Sequence, residues 1–504
     1  MPKRALLFSN FADGFLKNAS SMRLGNELRK DGFEVKQIHH FVKFTDQELK
    51  DIIRDYCEDK ETVVCVSTSF LSQEEERNKN QSPTWGSDPS GTDIFAKILL
   101  VCATAKHYKA NVLVGGWIVD RNKILNYGLK RHWRFHYLEN FVDYFVEGNG
   151  ASVIKKIANG ETQNIVSDRH KLVASDPITD YSDVSTAPSK EDYINPKESL
   201  YFEFASGCIF SCHFCNFGSL GKKKHEYMRS YESLKTELVS NYENFGTRMY
   251  HVTDNIVNDY QEKLKMLIRI REETGIDIKW SGYVRLDTIK NKEQADMLVE
   301  SGMVGALMGI ESFTPSTGRY IGKMTDGKRL LEILHMCRES WKENVIVSST
   351  FIAGLPTETY ESLYETFKVL TSKEGNYLLD TFRFNKFHVT QGFDDKNEIN
   401  KARNSPFKDY VIAPGSAFGT DWTSPWTESK KIGILVDEFN SMKYRKTTIT
   451  SQNLAQIVNL GYEPEEVVKM GRSGYNRQHF SYDRKTQLLI RNYRERVMAD
   501  IKKS

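Results

Sequence analysis

Short apolar, β-branched runs alternating with amphipathic stretches govern what this chain can fold into. TVVCVSTSF (62–70) and NVLVGGW (111–117) are apolar almost without interruption, the pattern of strands covered on both faces. RALLFS (4–9) and EVKQIHH (34–40) also read as strands, and VDYFVEGNG (142–150) as the last of this set. Helical stretches lie between them: SSMRLGNELRKDG (20–32), TDQELKDIIRDYCED (45–59) and residues 92–108, with ASVIKKIANG (151–160) behind the final strand. Such β–α alternation implies a parallel sheet with helices on both sides, a doubly wound, Rossmann-like domain over residues 1–165.

Residues 166–196 are rich in Ser, Asp, Pro and Thr, lack periodicity and read as a linker. The alternation then restarts with YFEFAS (201–206), MYHVTD (249–254), IKWSGYV (278–284), VGALMGI (304–310), VIVSSTFIAG (345–354) and TFRFNKFHV (381–389). Helical spacing returns in YQEKLKMLIRIREET (260–274) and KRLLEILHMCRESW (328–341). Six βα repeats over 197–395 predict a partial (β/α)6 barrel, an α/β architecture whose chemistry gathers at the carboxyl ends of the strands. Residues 396–504 are irregular and aromatic-rich at first, then helical to the end.

At 504 residues the chain exceeds one hydrophobic core; domains of roughly 100–200 residues suggest about three units. A net charge of +3 gives no general electrostatic reason to expect nucleic acid as a partner. The basic tail, Arg484 to Lys503, reads as a solvated amphipathic helix rather than a nucleic-acid contact. The longest apolar run, ILLVCA (98–103), falls far short of the ~20 residues of a membrane span. The N-terminus, MPKRALLFSNFADGF, lacks the apolar core and cleavage site of a signal peptide. Seven cysteines are too sparse for a disulfide scaffold. A reducing cytoplasm is the expected location.

Three of those cysteines, Cys208, Cys212 and Cys215, fall within eight residues of Phe204-Ala-Ser-Gly-Cys-Ile-Phe-Ser-Cys-His-Phe-Cys-Asn-Phe-Gly218. The segment directly follows the first strand of the barrel-like unit, where a βα loop occupies the catalytic face. Three thiolates on one loop can reach three corners of an iron–sulfur cubane, leaving the fourth iron without a protein ligand. A Cys₃His zinc site completed by His213 or His225 is the alternative. Buried, inert cysteines are a third reading, against which the flanking Gly207 and Gly218 argue.

The spacing CxxxCxxC, with Phe214 just before the last cysteine, resembles the signature of the radical S-adenosylmethionine (SAM) superfamily. That resemblance covers roughly residues 196–395. It implies a [4Fe–4S] cluster on the three cysteines that reductively cleaves SAM to a 5′-deoxyadenosyl radical, fed by an electron donor such as flavodoxin or ferredoxin. Further segments match in βα order. Val252-Thr-Asp254-Asn255 resembles the motif that meets the methionyl amine, without the usual Gly-Gly-Glu. Tyr283-Val-Arg285-Leu-Asp287 resembles a segment whose arginine faces the cofactor carboxylate. Gly309-Ile-Glu311-Ser312 is similar to the ribose and amine contact, and Gly354-Leu-Pro356-Thr-Glu358 to the loop holding adenine. Read singly, each segment admits a plainer role: Asp254 and Asn255 as helix caps, Glu311 as a strand-end charge, Gly354-Leu-Pro356 as a turn.

A doubly wound unit ahead of the barrel resembles the cobalamin-binding branch of the same superfamily. The matching positions are Val66-Ser67-Thr68, Leu113-Val-Gly115-Gly116-Trp117 and Tyr144-Phe-Val-Glu147-Gly148-Asn-Gly150. They would receive the corrinoid outside the carboxyl ends of the strands, where small residues leave space. The Asp-x-His-x-x-Gly pattern of other cobalamin proteins is missing, and Asn149 and Ala151 dilute the last segment. The resemblance implies a cobalamin-dependent methyltransferase acting on a small-molecule or peptide substrate. Alternatives are hydrogen abstraction, cyclisation or rearrangement with a non-functional cobalamin domain, or a non-catalytic iron–sulfur or zinc sensor. Cys57, Cys65, Cys102 and Cys337 are too scattered for an auxiliary cluster, which argues against methylthiotransfer. Gly419-Thr-Asp-Trp-Thr-Ser-Pro-Trp426 resembles a stretch after the barrel in the cobalamin branch, readable as a substrate wall or as packing. No catalytic acid, base or radical-quenching residue is assigned.

Overall fold

The computed structural model describes residues 3–10, 15–58, 61–69, 94–116, 119, 137–165, 167, 171–176, 178–215, 227–323, 326–389, 407–413, 421–441 and 447–501. The chain forms two compact units. One comprises Met1–Asp180, Val184–Pro196 and Asp483–Ser504; the other comprises Tyr181–Asp183 and Lys197–Tyr482. The helical C-terminal region is therefore divided, with its last helix in the first unit. Among the described residues no helix is long and apolar enough to cross a membrane.

The first unit holds six parallel strands, β1 (Arg4–Phe8), β2 (Glu34–Ile38), β3 (Thr62–Ser67), β4 (Asn111–Gly115), β5 (Tyr144–Glu147) and β6 (Leu172–Ala174). Their order is β2-β1-β3-β4-β5-β6, a doubly wound sheet. Alternate side chains enter two cores. Leu6, Phe8, Val64, Val66, Val112 and Val114 pack with the helices Asp46–Cys57 and Ile94–His107. Ala5, Leu7, Val63 and Leu113 pack with Ala19–Lys30 and Ala151–Ala158. This double burial is the physical reason β3 and β4 are apolar almost without interruption. Strand β6 corrects the reading of 166–196 as a pure linker: three residues are too few to show a period, yet they extend the sheet along β5.

The helix Tyr482–Ile501 contributes Tyr493, Val497 and Ile501 to the core containing Leu6 and Phe8. Tyr493 Oη accepts the His39 N–H at 2.9 Å, and Asp500 accepts from Tyr193 Oη at 2.6 Å and from Lys36. Arg484 and Arg491 remain exposed, so the tail is amphipathic as expected, but its apolar face is core. Tyr493→Ala should lower the stability of this unit by about 3–5 kcal/mol, in line with other large aromatic truncations, as read by urea unfolding. An unchanged midpoint would mean the helix is not part of the core.

Two buried histidines follow β2. His40 stacks on Phe15 with ring centroids 5.4 Å apart, and His39 Nδ1 pairs with Ser9 Oγ at 3.0 Å. Burial, helped by the Lys17 charge, pushes His40 down to about 3 and holds His39 well below the usual imidazole range. The folded state thus keeps His40 neutral while the unfolded chain takes up a proton below about pH 6.5. Stability is full above that pH and declines as pH falls toward 3. The urea midpoint is expected to drop from pH 7 to pH 5, and to drop less in His40→Phe, which keeps the stack.

The second unit carries β7 (Leu200–Phe202), β8 (Met249–Val252), β9 (Lys279–Tyr283), β10 (Met303–Glu311), β11 (Ile346–Ala353) and β12 (Thr381–Lys386), parallel and in sequence order. This is the six-stranded partial barrel that the repeats predict. Trp280 projects from one face to the C-terminal end of the helix Lys292–Glu300, its Nε1–H on Ser301 O at 3.1 Å. The opposite face carries His251, Ser281 and Gly305 in register. There the helix Ser451–Val458 packs so closely that a β-carbon on Gly305 would meet Ser451 Cβ at 3.1 Å. Near the amino ends of β11 and β12, buried Asp380 accepts from Arg338 and Arg472, each at 2.6 Å, and from the Val347 N–H at 2.8 Å.

Candidate active site

Strand β7 stops at Phe202, sooner than its apolar pattern suggests, because the next amides are taken by a side chain. The buried Asp254 carboxylate, just past β8, accepts the Phe204 N–H at 2.7 Å and the Ala205 N–H at 3.0 Å. Lys263 Nζ bonds the same carboxylate at 2.9 Å and Asp259 at 2.6 Å. Burial alone would lower the Lys263 ammonium, but the two aspartates hold it above its usual value. Asp254 therefore anchors the entry to the cysteine loop, and its oxygens are already occupied by protein donors. Asn255 beside it is half-buried, with no hydrogen-bond partner among the described residues.

The loop is closed at its base by the Arg229 N–H on Phe204 O at 2.7 Å and a bridge between Ala205 and Met228. Arg229 is itself buried against Glu237 at 2.9 Å. Within the loop the Cys215 N–H turns back to Cys212 O at 3.0 Å. Cys212 is buried, while Cys208 and Cys215 are half-buried. Burial pushes the Cys208 thiol up, and the nearby Asp259, Cys212 and Cys215 add to the rise. His213 faces away toward 320–321, its N–H on Ile321 O at 3.1 Å and its Nδ1 paired with Tyr320 O. Gly218 and His225 lie outside the described residues.

Among the described residues no three His, Cys, Asp or Glu side chains converge on a single metal ion. One ion draws all its ligands to one centre, whereas a cubane takes each thiolate at a separate iron. The donor set, three sulfurs from one loop, fits the second demand.

Arg285, just past β9, lies against this loop. Its Nη1–H donates to Cys212 Sγ at 3.2 Å, and its guanidinium stacks on the Phe210 ring at 3.9 Å from the centroid. Nε and Nη2 donate to Asp287 at 2.7 and 2.8 Å. The edge of the guanidinium expected to face a cofactor carboxylate is thus occupied by an aspartate of its own segment.

At the end of β10 the register shifts between Gly309 and Glu311, and Glu311 takes a φ of 71°. A β-carbon on Gly309 would sit 2.3 Å from Glu311 Oε1, so glycine is what lets the carboxylate fold back. Lys323 bonds both Gly309 O and Glu311 Oε1, and lies 5.9 Å from the Phe214 ring centroid. Ser312 Oγ donates to Glu358 Oε1 at 2.8 Å, and the Gly354 N–H to Glu358 Oε2 at 2.9 Å. Burial outweighs these bonds and pushes the Glu358 carboxyl up to about 7. Gly354 has φ 90°, and a β-carbon there would meet Trp422 at 2.6 Å; Pro356 beside it is buried. Trp422 is itself buried, its Nε1–H on Phe387 O at 2.9 Å, which is a packing role for this tryptophan; Gly419 lies outside the described residues.

The structure thus places Cys208, Cys212, Phe214, Cys215, Asp254, Asn255, Arg285, Glu311, Ser312, Gly354 and Pro356 in or just beyond β7 to β11, at their carboxyl ends. Four participants escaped the motif reading. Lys263 stands in the first turn of the helix that follows the aspartate it neutralises, Asp259 and Asn258 (whose amide brackets the Arg285 backbone) look like ordinary loop polar residues, and nothing in the sequence around Lys323 links it to Glu311. In the first unit, Ser67, Thr68, Gly115, Gly116, Glu147 and Gly148 lie at the carboxyl edge of β3, β4 and β5. The Thr68 hydroxyl is bonded to Gly115 O at 2.7 Å, and Asn149 Oδ1 accepts the Ala151 N–H at 3.0 Å, a local cap. Trp117 lies outside the described residues.

Asp254→Asn removes one partner of a buried ion pair and is expected to cost about 3–5 kcal/mol. Urea unfolding checks it; a loss well under 1 kcal/mol, the value of an exposed pair, would contradict the anchoring role.

Residues 202–370 match the family model of the Radical SAM superfamily. Over 276 residues the chain is 23% identical to the ribosomal protein uS12 methylthiotransferase RimO of Clostridium botulinum (strain Eklund 17B / Type B). That match covers 53% of this chain and 60% of the relative's length. Among solved structures, the cobalamin-dependent S-adenosylmethionine radical enzyme OxsB with aqua-cobalamin bound superposes with a TM-score of 0.59 at 12% identity, covering 99% of this chain and 72% of that one. The radical S-adenosylmethionine methyltransferase TsrM from Kitasatospora setae, with cobalamin and [4Fe–4S] cluster bound, gives 0.56 at 17% identity, over 77% of this chain and 76% of that one. At these identities the likeness concerns the fold.

Proposed function

From the premise that this chain carries a radical SAM domain over residues 202–370, we propose that it is a cobalamin-dependent radical SAM methyltransferase. The observation that carries this reading is the cysteine loop: Cys208, Cys212 and Cys215 stand on one short segment just beyond β7, and His213 between them is turned to the backbone of Tyr320 and Ile321. When bound there, a [4Fe–4S] cluster with SAM supplies one electron to the S–C5′ bond and so a 5′-deoxyadenosyl radical. The chain's own residues then have supporting tasks. Asp254 fixes the loop entry, Asn255 offers a free amide for the cofactor, and the Glu311, Ser312 and Glu358 group shapes the strand ends that would receive ribose and adenine. Cobalamin is assigned to the carboxyl edge of the first sheet, where Ser67, Gly115, Gly116 and Gly148 are small. A protein electron donor would reduce the cluster, and a small molecule or peptide would accept the methyl group, in a reducing cytoplasm.

The match to a methylthiotransferase does not favour that chemistry, which would call for a second cysteine group. Cys57, Cys102 and Cys337 are buried as packing residues, and burial pushes the Cys65 thiol up to about 12.

Anaerobic reconstitution tests the proposal. Iron and sulfide are counted, a corrinoid spectrum is recorded, and 5′-deoxyadenosine and S-adenosylhomocysteine are measured after reduction. The expected result is a full cubane complement, retained corrinoid and both products. Cys212→Ala should abolish deoxyadenosine formation; unchanged output from that variant would refute the assignment. Cubane and deoxyadenosine without corrinoid retention would leave a radical enzyme of another kind, for hydrogen abstraction, cyclisation or rearrangement.

A further inference from the structure

We propose that Arg285 serves the cysteine loop rather than the cofactor carboxylate: its N–H on the Cys212 sulfur raises the reduction potential of the cluster held there, and Asp287 limits the rise. The inference rests on the proposed [4Fe–4S] site and adds a role for residues of this chain that flank it.

The guanidinium accounts for its own donors. Nε and Nη2, the edge suited to gripping a carboxylate in two bonds, are held by Asp287 at 2.7 and 2.8 Å. Nη1 is aimed at Cys212 Sγ at 3.2 Å, and one face is covered by Phe210. The backbone is clamped as well: the Arg285 N–H donates to Asn258 Oδ1 at 2.8 Å, and Arg285 O accepts from Asn258 Nδ2 at 2.9 Å and Thr288 Oγ1 at 2.8 Å. The residue is only 6% exposed, so solvent screens its charge weakly. A side chain held at each of its three nitrogens has little freedom to turn toward a second carboxylate.

The consequence is electrostatic. A cubane that accepts one electron from a low-potential donor becomes more negative by one charge, with no bond made or broken in the protein. Hydrogen bonds to the cluster's sulfurs and nearby positive charge favour that reduced state. Arg285 supplies both at Cys212, and its guanidinium stays protonated throughout. Asp287, bound to the same group, offsets part of the positive charge. Removing the arginine and removing the aspartate's charge must therefore move the potential in opposite directions. A merely structural contact would not produce that pattern.

The test uses the full chain, reconstituted anaerobically with iron and sulfide, without SAM, in a dithionite titration followed by electron paramagnetic resonance. Arg285→Gln is expected to lower the midpoint and Asp287→Asn to raise it, with Arg285→Lys between wild type and the glutamine variant. Binding of labelled SAM, measured in parallel by equilibrium dialysis, is expected to change little in Arg285→Gln. An unchanged midpoint with a marked loss of SAM binding would overturn the proposal and return Arg285 to the carboxylate. Shifts of the same sign in both variants would also overturn it. Where Arg285→Gln does not take up iron, the Asp287→Asn arm decides, and a midpoint that fails to rise refutes the idea. A wild-type chain that cannot hold a cubane would instead refute the proposed function, a distinct outcome visible in the iron count.

Discussion

A carboxylate buried where a strand ends organises the catalytic face of the second unit. Asp254 accepts two amides that the β7 ladder has released, and Lys263 balances its charge from the following helix. An unpaired charge in that position would be expensive, as would two orphaned amides. Joined, they fix the direction in which the chain leaves β7, and hence where Cys208, Cys212 and Cys215 can go. The segment Val252-Thr-Asp254-Asn255 resembles the motif that meets the methionyl amine of the cofactor; in the structure the Asp254 oxygens already accept protein donors, and Asn255 beside it is half-buried.

The same device recurs at neighbouring strand ends. Glu358 joins the end of β10 to the end of β11 through Ser312 and the Gly354 amide, and Lys323 draws Glu311 back over Gly309. These are polar ties at the carboxyl ends of the strands. Burial sets the shift of Glu358, whereas the paired aspartates set that of Lys263. Arg285 belongs to the same pattern, with Asp287 occupying one edge of its guanidinium and the Cys212 sulfur the other.

The first unit depends on the opposite kind of force. Its central strands are apolar on both faces, and the helix from the far end of the chain adds Tyr493, Val497 and Ile501 to one of its two cores. Its buried charges are paired, as Asp192 is with Arg29, while His39 and His40 stay neutral because desolvation outweighs their affinity for a proton.

Periodicity and local spacing made five strands of the first sheet, all six of the second, the barrel order and the cysteine loop readable, because each depends on residues close together along the chain. TVVCVSTSF could only be a strand covered on both sides, and CxxxCxxC could only put three thiols on one loop. Contacts between distant residues were not readable. Lys263 beside Asp254, Lys323 on Glu311, Asp287 filling the guanidinium of Arg285, β6 inside an apparent linker and the last helix in the first core all arise from close packing. Which donor meets which acceptor is settled by tertiary geometry, because a hydrogen bond or ion pair depends on distances that no local pattern encodes.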